Sequence, residues 1–387
     1  MYGRVAPAGA SLPGLLRPPF TATPPHLHLY LHIPFCHHLC PYCGFYKHTP
    51  GNLANRAFVE ALLDEASRRA PEGFAPETVY FGGGTPTLLS PTLLERLLRG
   101  LAERLDLSRV AEWTIEANPA TFDLEKAQLM RGLGADRVSL GVQSFHPDIL
   151  TTLGRDHTPD DAIEAFGTLR RAGFTNLSLD LMFSIPGQDA ALWQSDLEQA
   201  VTLAPEHFSA YNLTYEDDTE FLTRHQRGEL DADEDRDASL FHQAIDFLAE
   251  SGYAHYEISN YARPGFESRH NRAYWSGADY LGLGPGAVST MAGERSKTLP
   301  DTAAYVRAAQ AGIDTRVEIE RLSDADRRLE ALAMQLRTRE GAPLDLLPSP
   351  DPLGSLIEQG WVEVVDGRVV LTREGKALAD PIAGMLA

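Results

Sequence analysis

Residues 137–183 read RVSLGVQSFHPDILTTLGRDHTPDDAIEAFGTLRRAGFTNLSLDLMF. The two ends, RVSLGV (137–142) and NLSLDLMF (176–183), are short apolar runs. Between them TPDDAIEAFGTLRRAG (158–173) carries helical periodicity. A strand, a helix and a second strand at this separation make a parallel βαβ unit. The same alternation extends in both directions. Further strand-like runs are LHLYLHI (27–33), ETVYF (77–81), EWTIEA (112–117) and HFSAYNL (207–213). Helix-like stretches between them include NRAFVEALLDEASRRA, PTLLERLLRGLAERL, DLEKAQLMRGLG and ALWQSDLEQAVTL. Six strands alternating with helices predict an α/β fold, and a partial (β/α)6 barrel suits six repeats better than a doubly wound sheet.

The unusual polar residues fall just after the strands. Three cysteines follow the first, Gly82-Gly83-Gly84-Thr85-Pro86 follows the second, and Glu116 with Asn118-Pro119 closes the third. Gln143-Ser144-Phe145 follows the fourth, Asp180 lies near the end of the fifth, and Tyr211-Asn212 lie in the sixth. All collect at the carboxyl edge of the sheet, where parallel sheets and barrels carry their sites.

Residues 1–25 are interrupted by prolines and read as an irregular leader, not a secretory signal. The barrel core is assigned to 26–215. Residues 216–299, charged and helical at first and then polar, aromatic and glycine-rich, are expected to cover the barrel mouth. Residues 300–387 form a small helical module. There WVEVV-DG-RVVLT gives a hairpin with a two-residue turn between helices, a winged-helix-like arrangement.

Acidic residues outnumber Lys and Arg by 54 to 34, a net charge of -20, which argues against a nucleic-acid partner. No run of about 18 apolar residues occurs, so nothing is expected to span a bilayer. The only three cysteines lie within eight residues. An odd cluster of this kind is not a disulfide framework, and it indicates a reducing, cytoplasmic setting.

Cys36, Cys40 and Cys43 offer three soft thiolates in one loop, suited to an iron-sulfur cluster or to zinc. Zinc would want a fourth ligand, for which His37, His38 and His48 are near in sequence. A 4Fe-4S cluster on three thiolates instead leaves one iron open, and S-adenosylmethionine (SAM) can chelate it through its amino and carboxylate groups. The GGGTP run admits close backbone approach, with amides that could hold the methionyl end of SAM. The plainer reading is a tight strand-to-helix turn.

The cysteine spacing matches the radical SAM superfamily. YLHIPFCHHLCPYCGF, FGGGTPTLL, IEANP, RVSLGVQSF, LGRDH, NLSLDLMFSIPGQ and YLGLGPGA together resemble its branch containing oxygen-independent coproporphyrinogen III oxidase and related haem chaperones. The resemblance runs from about Tyr30 to Ser289. It implies that Tyr30 lies against the methionyl group and Phe45 beside the adenine. Gly83, Gly84 and Thr85 would contact the methionyl moiety, and Glu116, Gln143, Arg155 and Asp180 are the matching polar SAM contacts. Read as ordinary side chains, Glu116 could cap a helix, Arg155 and Asp180 could pair, and Gln143 could tie loops together.

Two departures separate the oxidase from the chaperones. The oxidase carries a further cysteine two residues after the third; here that residue is Phe45. Only a few dozen residues precede the cysteines in this sequence, whereas the oxidase has a longer amino-terminal extension associated with substrate handling, so the expectation leans away from the oxidase. The chaperone group has an HNxxYW motif, matched by His270, Asn271, Tyr274 and Trp275. His270 can ligate haem iron, and Tyr274 and Trp275 can pack on a porphyrin. The alternative is a polar loop anchored by its aromatics. Arg269 and Arg272 could meet propionates, and histidines 26, 28, 32, 37 and 38 are weaker haem or metal candidates. The resemblance thus implies haem binding and delivery to respiratory haemoproteins at the membrane face. A reductant such as flavodoxin or ferredoxin would serve the cluster. The competing activity is radical decarboxylation of coproporphyrinogen III to protoporphyrinogen IX.

Overall fold

A computed structural model describes residues 27–53 and 55–387; the leader 1–25 and His26 lie outside the described residues. All six expected strands form: β1 (Leu27–Ile33), β2 (Thr78–Gly83), β3 (Glu112–Ala117), β4 (Arg137–Gln143), β5 (Asn176–Phe183) and β6 (His207–Asn212). They pair in chain order and all in parallel. The β1 and β6 strands do not pair with each other. Their outer neighbours are other strands, so the barrel is open.

Those neighbours come from segments that read poorly in sequence. β7 (Ala254–Glu257) and β8 (Asn260–Ala262) extend the sheet antiparallel from β6. On the far edge β9 (Asp279–Leu283) runs parallel to β1, followed by β10 (Val288–Met291), β11 (Glu294–Thr298) and β12 (Arg316–Arg321). The expectation that 216–299 simply covers the barrel mouth is therefore corrected, because much of it completes the sheet at both edges. Gly282 shows why its strand carries glycine: a Cβ there would lie 2.0 Å from the Val288 carbonyl oxygen of the next strand.

Alternation along the parallel strands sorts the side chains cleanly. Leu29, Leu31, Val79, Phe81, Ile115, Val138, Leu140, Leu177, Leu179 and Phe208 are fully buried in the main core, under the surrounding helices. The opposite face is polar. Tyr30 stacks on Tyr80, Tyr80 donates to Glu116, Ser139 donates to Asp180, and Ser178 bonds His207. The lumen is thus a layered network of polar side chains, most of them partnered across strands, with Thr114 Oγ1 and Arg137 Nε left without a hydrogen-bond partner among the described residues.

The carboxyl-terminal module has its own core of Leu332, Leu336, Leu356, Val362, Val369, Leu371, Ile382 and Leu386. Its three strands are β13 (Ala342–Pro343), β14 (Val362–Val365) and β15 (Arg368–Leu371), with β15 central. The Asp366-Gly367 turn takes φ of 49° and 76°, the left-handed pair that a two-residue hairpin requires. The start at 300 is corrected. Tyr305 packs in the main core and donates to the buried Glu65, and β12 pairs with β11. The separate core begins with the helix Asp324–Leu336. No helix among the described residues is long and apolar enough to cross a membrane.

Candidate functional site

The cysteine loop leaves β1 at Ile33 and is pinned before it can wander. Cys36 N–H donates to the His48 carbonyl at 3.1 Å, and His48 N–H returns a bond to Pro34 at 2.9 Å. The His32 Nε2 sits 2.8 Å from the Tyr46 carbonyl oxygen, tying the loop to the lumen. His48 is spent on Thr302, 2.8 Å away, and on Phe35, whose ring it meets edge-on. Of the proposed zinc partners, His38 alone lines the same cavity as the thiols.

That cavity, about 680 Å³, opens at the carboxyl ends of the strands. Cys36, Cys40 and Cys43 line it together with Phe45, Gly83, Gly84, Thr85, Glu116, Gln143, Arg155 and Asp180. Phe45 is 70% exposed, the largest such value among the exposed large hydrophobic side chains. Tyr30 does not reach the wall. It lies one layer down in the lumen, its hydroxyl 3.0 Å from His32 Nδ1.

The glycine run differs from expectation in an instructive way. Gly83 N–H donates to Glu116 at 3.2 Å, Gly84 N–H to Ile33 O at 2.8 Å and Thr85 N–H to Phe35 O at 2.7 Å. These amides are committed to the protein, so they are not spare donors for a methionyl group. The missing side chains serve the cysteine loop. A Cβ on Gly84 would lie 2.7 Å from Phe35 O, and one on Gly83 would meet the His32 ring at 2.4 Å.

Around the thiols sit the donors an iron-sulfur site uses. Thr85 Oγ1 lies 3.8 Å from Cys36 Sγ and Arg155 Nη1 lies 3.7 Å from Cys40 Sγ. Hydrogen bonds to the sulfurs tune such clusters. Burial pushes the Cys36 thiol up to about 11, so loading a metal there releases a proton. Among the described residues no three His, Cys, Asp or Glu side chains converge tightly enough to grip one ion. The three thiols line one cavity, where as soft ligands they could hold an iron-sulfur cluster.

The remaining polar wall is preorganised. Arg155 donates to Gly141 O at 2.9 Å and bonds Asn118, not Asp180, so the suggested ion pair does not form. Asp180 accepts from Ser139 and Ser178, and burial raises its carboxyl. Glu116 caps no helix. It accepts from Tyr80 Oη at 2.8 Å, and burial, then the charge of Asp180, raises it to about 7. Gln143 adopts φ of 68° at an irregularity between β4 and β5, strained backbone that aims it into the cavity.

The HNxxYW residues lie elsewhere. They form the helix Arg269–Trp275, whose amino end is held by the buried Glu112. That carboxylate accepts from the amides of Arg269 and His270 at 2.9 and 3.0 Å. His270 Nδ1 is 2.7 Å from Thr78 Oγ1, and its ring stacks on Tyr80 at 4.9 Å. Thr78 and Glu112 begin their strands, whereas the cavity lies at the strand ends. From Thr78 to Gly83 is five residues, or about 16 Å. The motif closes the foot of the barrel, not its mouth, because β7, β8 and the Ser268 turn return the chain to that end. Tyr274 is exposed there. Trp275 lines a smaller cavity of about 200 Å³ with Glu257, Arg272 and Arg368. His28 joins His270 through Thr78, and His32 belongs to the cysteine loop's anchor.

Thr78, Tyr80 and Glu112 give no signal as site residues in the sequence. A hydroxyl, a phenol and a carboxylate placed on inward strand positions make no motif, and only their cross-strand partners reveal them.

Comparison with known proteins follows the same lines. Residues 30–200 match the Radical SAM superfamily. The chain is 39% identical over 313 residues to "Heme chaperone HemW" of Lactococcus lactis, covering 81% of this chain and 82% of that one. It is 34% identical over 394 residues to the protein of the same name from Mycobacterium tuberculosis, across the whole of both chains. Among solved structures, the Escherichia coli coproporphyrinogen III oxidase, a radical SAM enzyme, superposes with a TM-score of 0.81. It is 24% identical, and the match covers 94% of this chain and 90% of that one, a likeness of fold.

Proposed function

The chain belongs to the radical SAM superfamily and, within it, to the haem chaperone family, and from that premise we propose that it binds haem and delivers it to respiratory haemoproteins. Cys36, Cys40 and Cys43 would hold a 4Fe-4S cluster, with SAM in the cavity among Gly83, Thr85, Glu116, Gln143, Arg155 and Asp180. Bound there, the pair supplies one-electron chemistry at a sulfonium carbon.

The chain's own residues prepare that end. Arg155, fixed by Asn118 and Gly141, presents a guanidinium that can meet a carboxylate. Glu116 and Asp180 present acceptors to an amine or ribose. Phe45, exposed at the rim, offers its ring and backbone to adenine.

Haem is the cargo, carried on the helix Arg269–Trp275 by His270 with Tyr274 and Trp275 beside it. One observation favours carriage over decarboxylation: the helix and the cavity sit at opposite ends of the parallel strands. A radical that attacks a porphyrin needs its substrate in the cavity, within contact of the SAM carbon. A porphyrin at the barrel foot is out of that reach. Phe45, standing where the oxidase has a further cysteine, points the same way.

Anaerobically reconstituted protein tests the reading. It should contain about four iron and four sulfide per chain. Haemin should titrate to a stable complex, lost in His270→Ala, and pass to an apo-haemoprotein. Incubation with SAM, reductant and coproporphyrinogen should release no carbon dioxide. Stoichiometric decarboxylated product would overturn the proposal in favour of the oxidase.

A further inference from the structure

Thr78 opens β2 with its hydroxyl buried between two imidazoles. Its Oγ1 lies 2.9 Å from His28 Nδ1 and 2.7 Å from His270 Nδ1. Both rings therefore approach through the same kind of nitrogen. A hydroxyl has one hydrogen to give, and a neutral imidazole has one N–H. With only these two neighbours in reach among the described residues, the hydroxyl can give its hydrogen to at most one ring, so at least one ring donates to Thr78.

The two directions are not equivalent for His270. If Thr78 donates to His270, the ring's hydrogen sits on Nε2, and the ring has no lone pair left for a metal. If His270 donates to Thr78, Nε2 keeps its lone pair. A metal-binding histidine has this second arrangement, with its other nitrogen donating to a fixed acceptor. The ring is held in place besides. Tyr80 stacks on one face at 4.9 Å, and His28 meets it edge-on at 6.1 Å.

We propose that Thr78 is the positioning residue of the haem site. It accepts the Nδ1 hydrogen of His270, passes its own to His28, and so presents the His270 Nε2 lone pair to haem iron. The proposal rests on His270 being the haem ligand. Thr78 touches neither haem nor the cysteine cavity, and it acts only through the orientation and tautomer of the ring.

Haemin titration of the full chain, followed by absorption and electron paramagnetic resonance, separates the two claims. Thr78→Val preserves shape and removes the acceptor. It should weaken haemin binding by about tenfold or more and shift the spectrum away from that of an imidazole-ligated iron. Thr78→Ser should restore both affinity and spectrum, which a purely packing role for the threonine methyl would not allow. Far-ultraviolet circular dichroism, with cluster content, checks that each variant is folded. If Thr78→Val matches the parent while His270→Ala loses affinity and spectrum, the ligand stands and the positioning role falls. If His270→Ala itself changes nothing, the ligand assignment falls, and the proposal for Thr78 falls with it.

Discussion

At the scale of single residues, the most consequential group is the Glu116 carboxyl. Burial, reinforced by the neighbouring Asp180, raises it from 4.5 to about 7. The folded protein then holds this proton more tightly than the unfolded chain does. The associated stability is fully present below about pH 4.5 and is lost as pH rises through about 7. Metal-free protein should therefore lose up to about 3 kcal/mol relative to Glu116→Gln over that interval. Urea unfolding of both proteins at pH 5 and pH 8 checks this, and parallel pH profiles would contradict it. The pattern IEANP disclosed Glu116 as an odd acid at a strand end. Its partner Tyr80 was not disclosed, because Tyr on a strand is equally common facing a core.

At the scale of elements, two contacts decide whether each end of the barrel is built. The first is the fit of the cysteine loop into the β2 turn. A methyl group on Gly84 would press within 2.8 Å of the carbonyl oxygens of both Ile33 and Phe35. Gly84→Ala should cost about 1–3 kcal/mol and reduce iron retained after anaerobic desalting. The second is the hold of Glu112 on the helix Arg269–Trp275. Its carboxylate accepts two amides and the Ser268 hydroxyl at the positive end of the helix. Glu112→Ala should speed amide exchange across 268–276 and weaken haemin binding, while exchange in the cysteine loop stays unchanged.

The same scale shows where sequence reading succeeds. All six parallel strands were legible because each alternates buried apolar residues with inward polar ones and is spaced by an obvious helix. β7 to β12 were not. They are short, carry glycines and charges, and owe their strand form to edges offered by β1 and β6. Such pairing is invisible to a local pattern.

At the scale of the whole molecule, the fold sets the cysteine cavity and the helix Arg269–Trp275 at opposite ends of one polar lumen. Replacing Cys36, Cys40 and Cys43 with Ser should abolish binding of non-haem iron. It should leave haemin affinity within about threefold, a change under 1 kcal/mol. Equal loss of both would mean that the two ends do not act as separate sites. The carboxyl-terminal module adds its own core and docks beside the helix Arg269–Trp275, where Arg272 pairs with Glu340 and Arg339 N–H donates to Tyr256 O.

By itself the sequence determined the parallel α/β core, the three-thiolate loop and the polar residues gathered at the strand ends. These follow from local periodicity and from spacing within a few residues, which the backbone translates directly into place. Only the tertiary structure decided that the HNxxYW helix sits at the barrel's foot and that the glycine amides are already occupied. It also placed His270 against Thr78, which lies 192 positions earlier in the chain. Those facts depend on which strand edges were left to be paired and which buried donors needed acceptors, conditions that exist only once the sheet has formed.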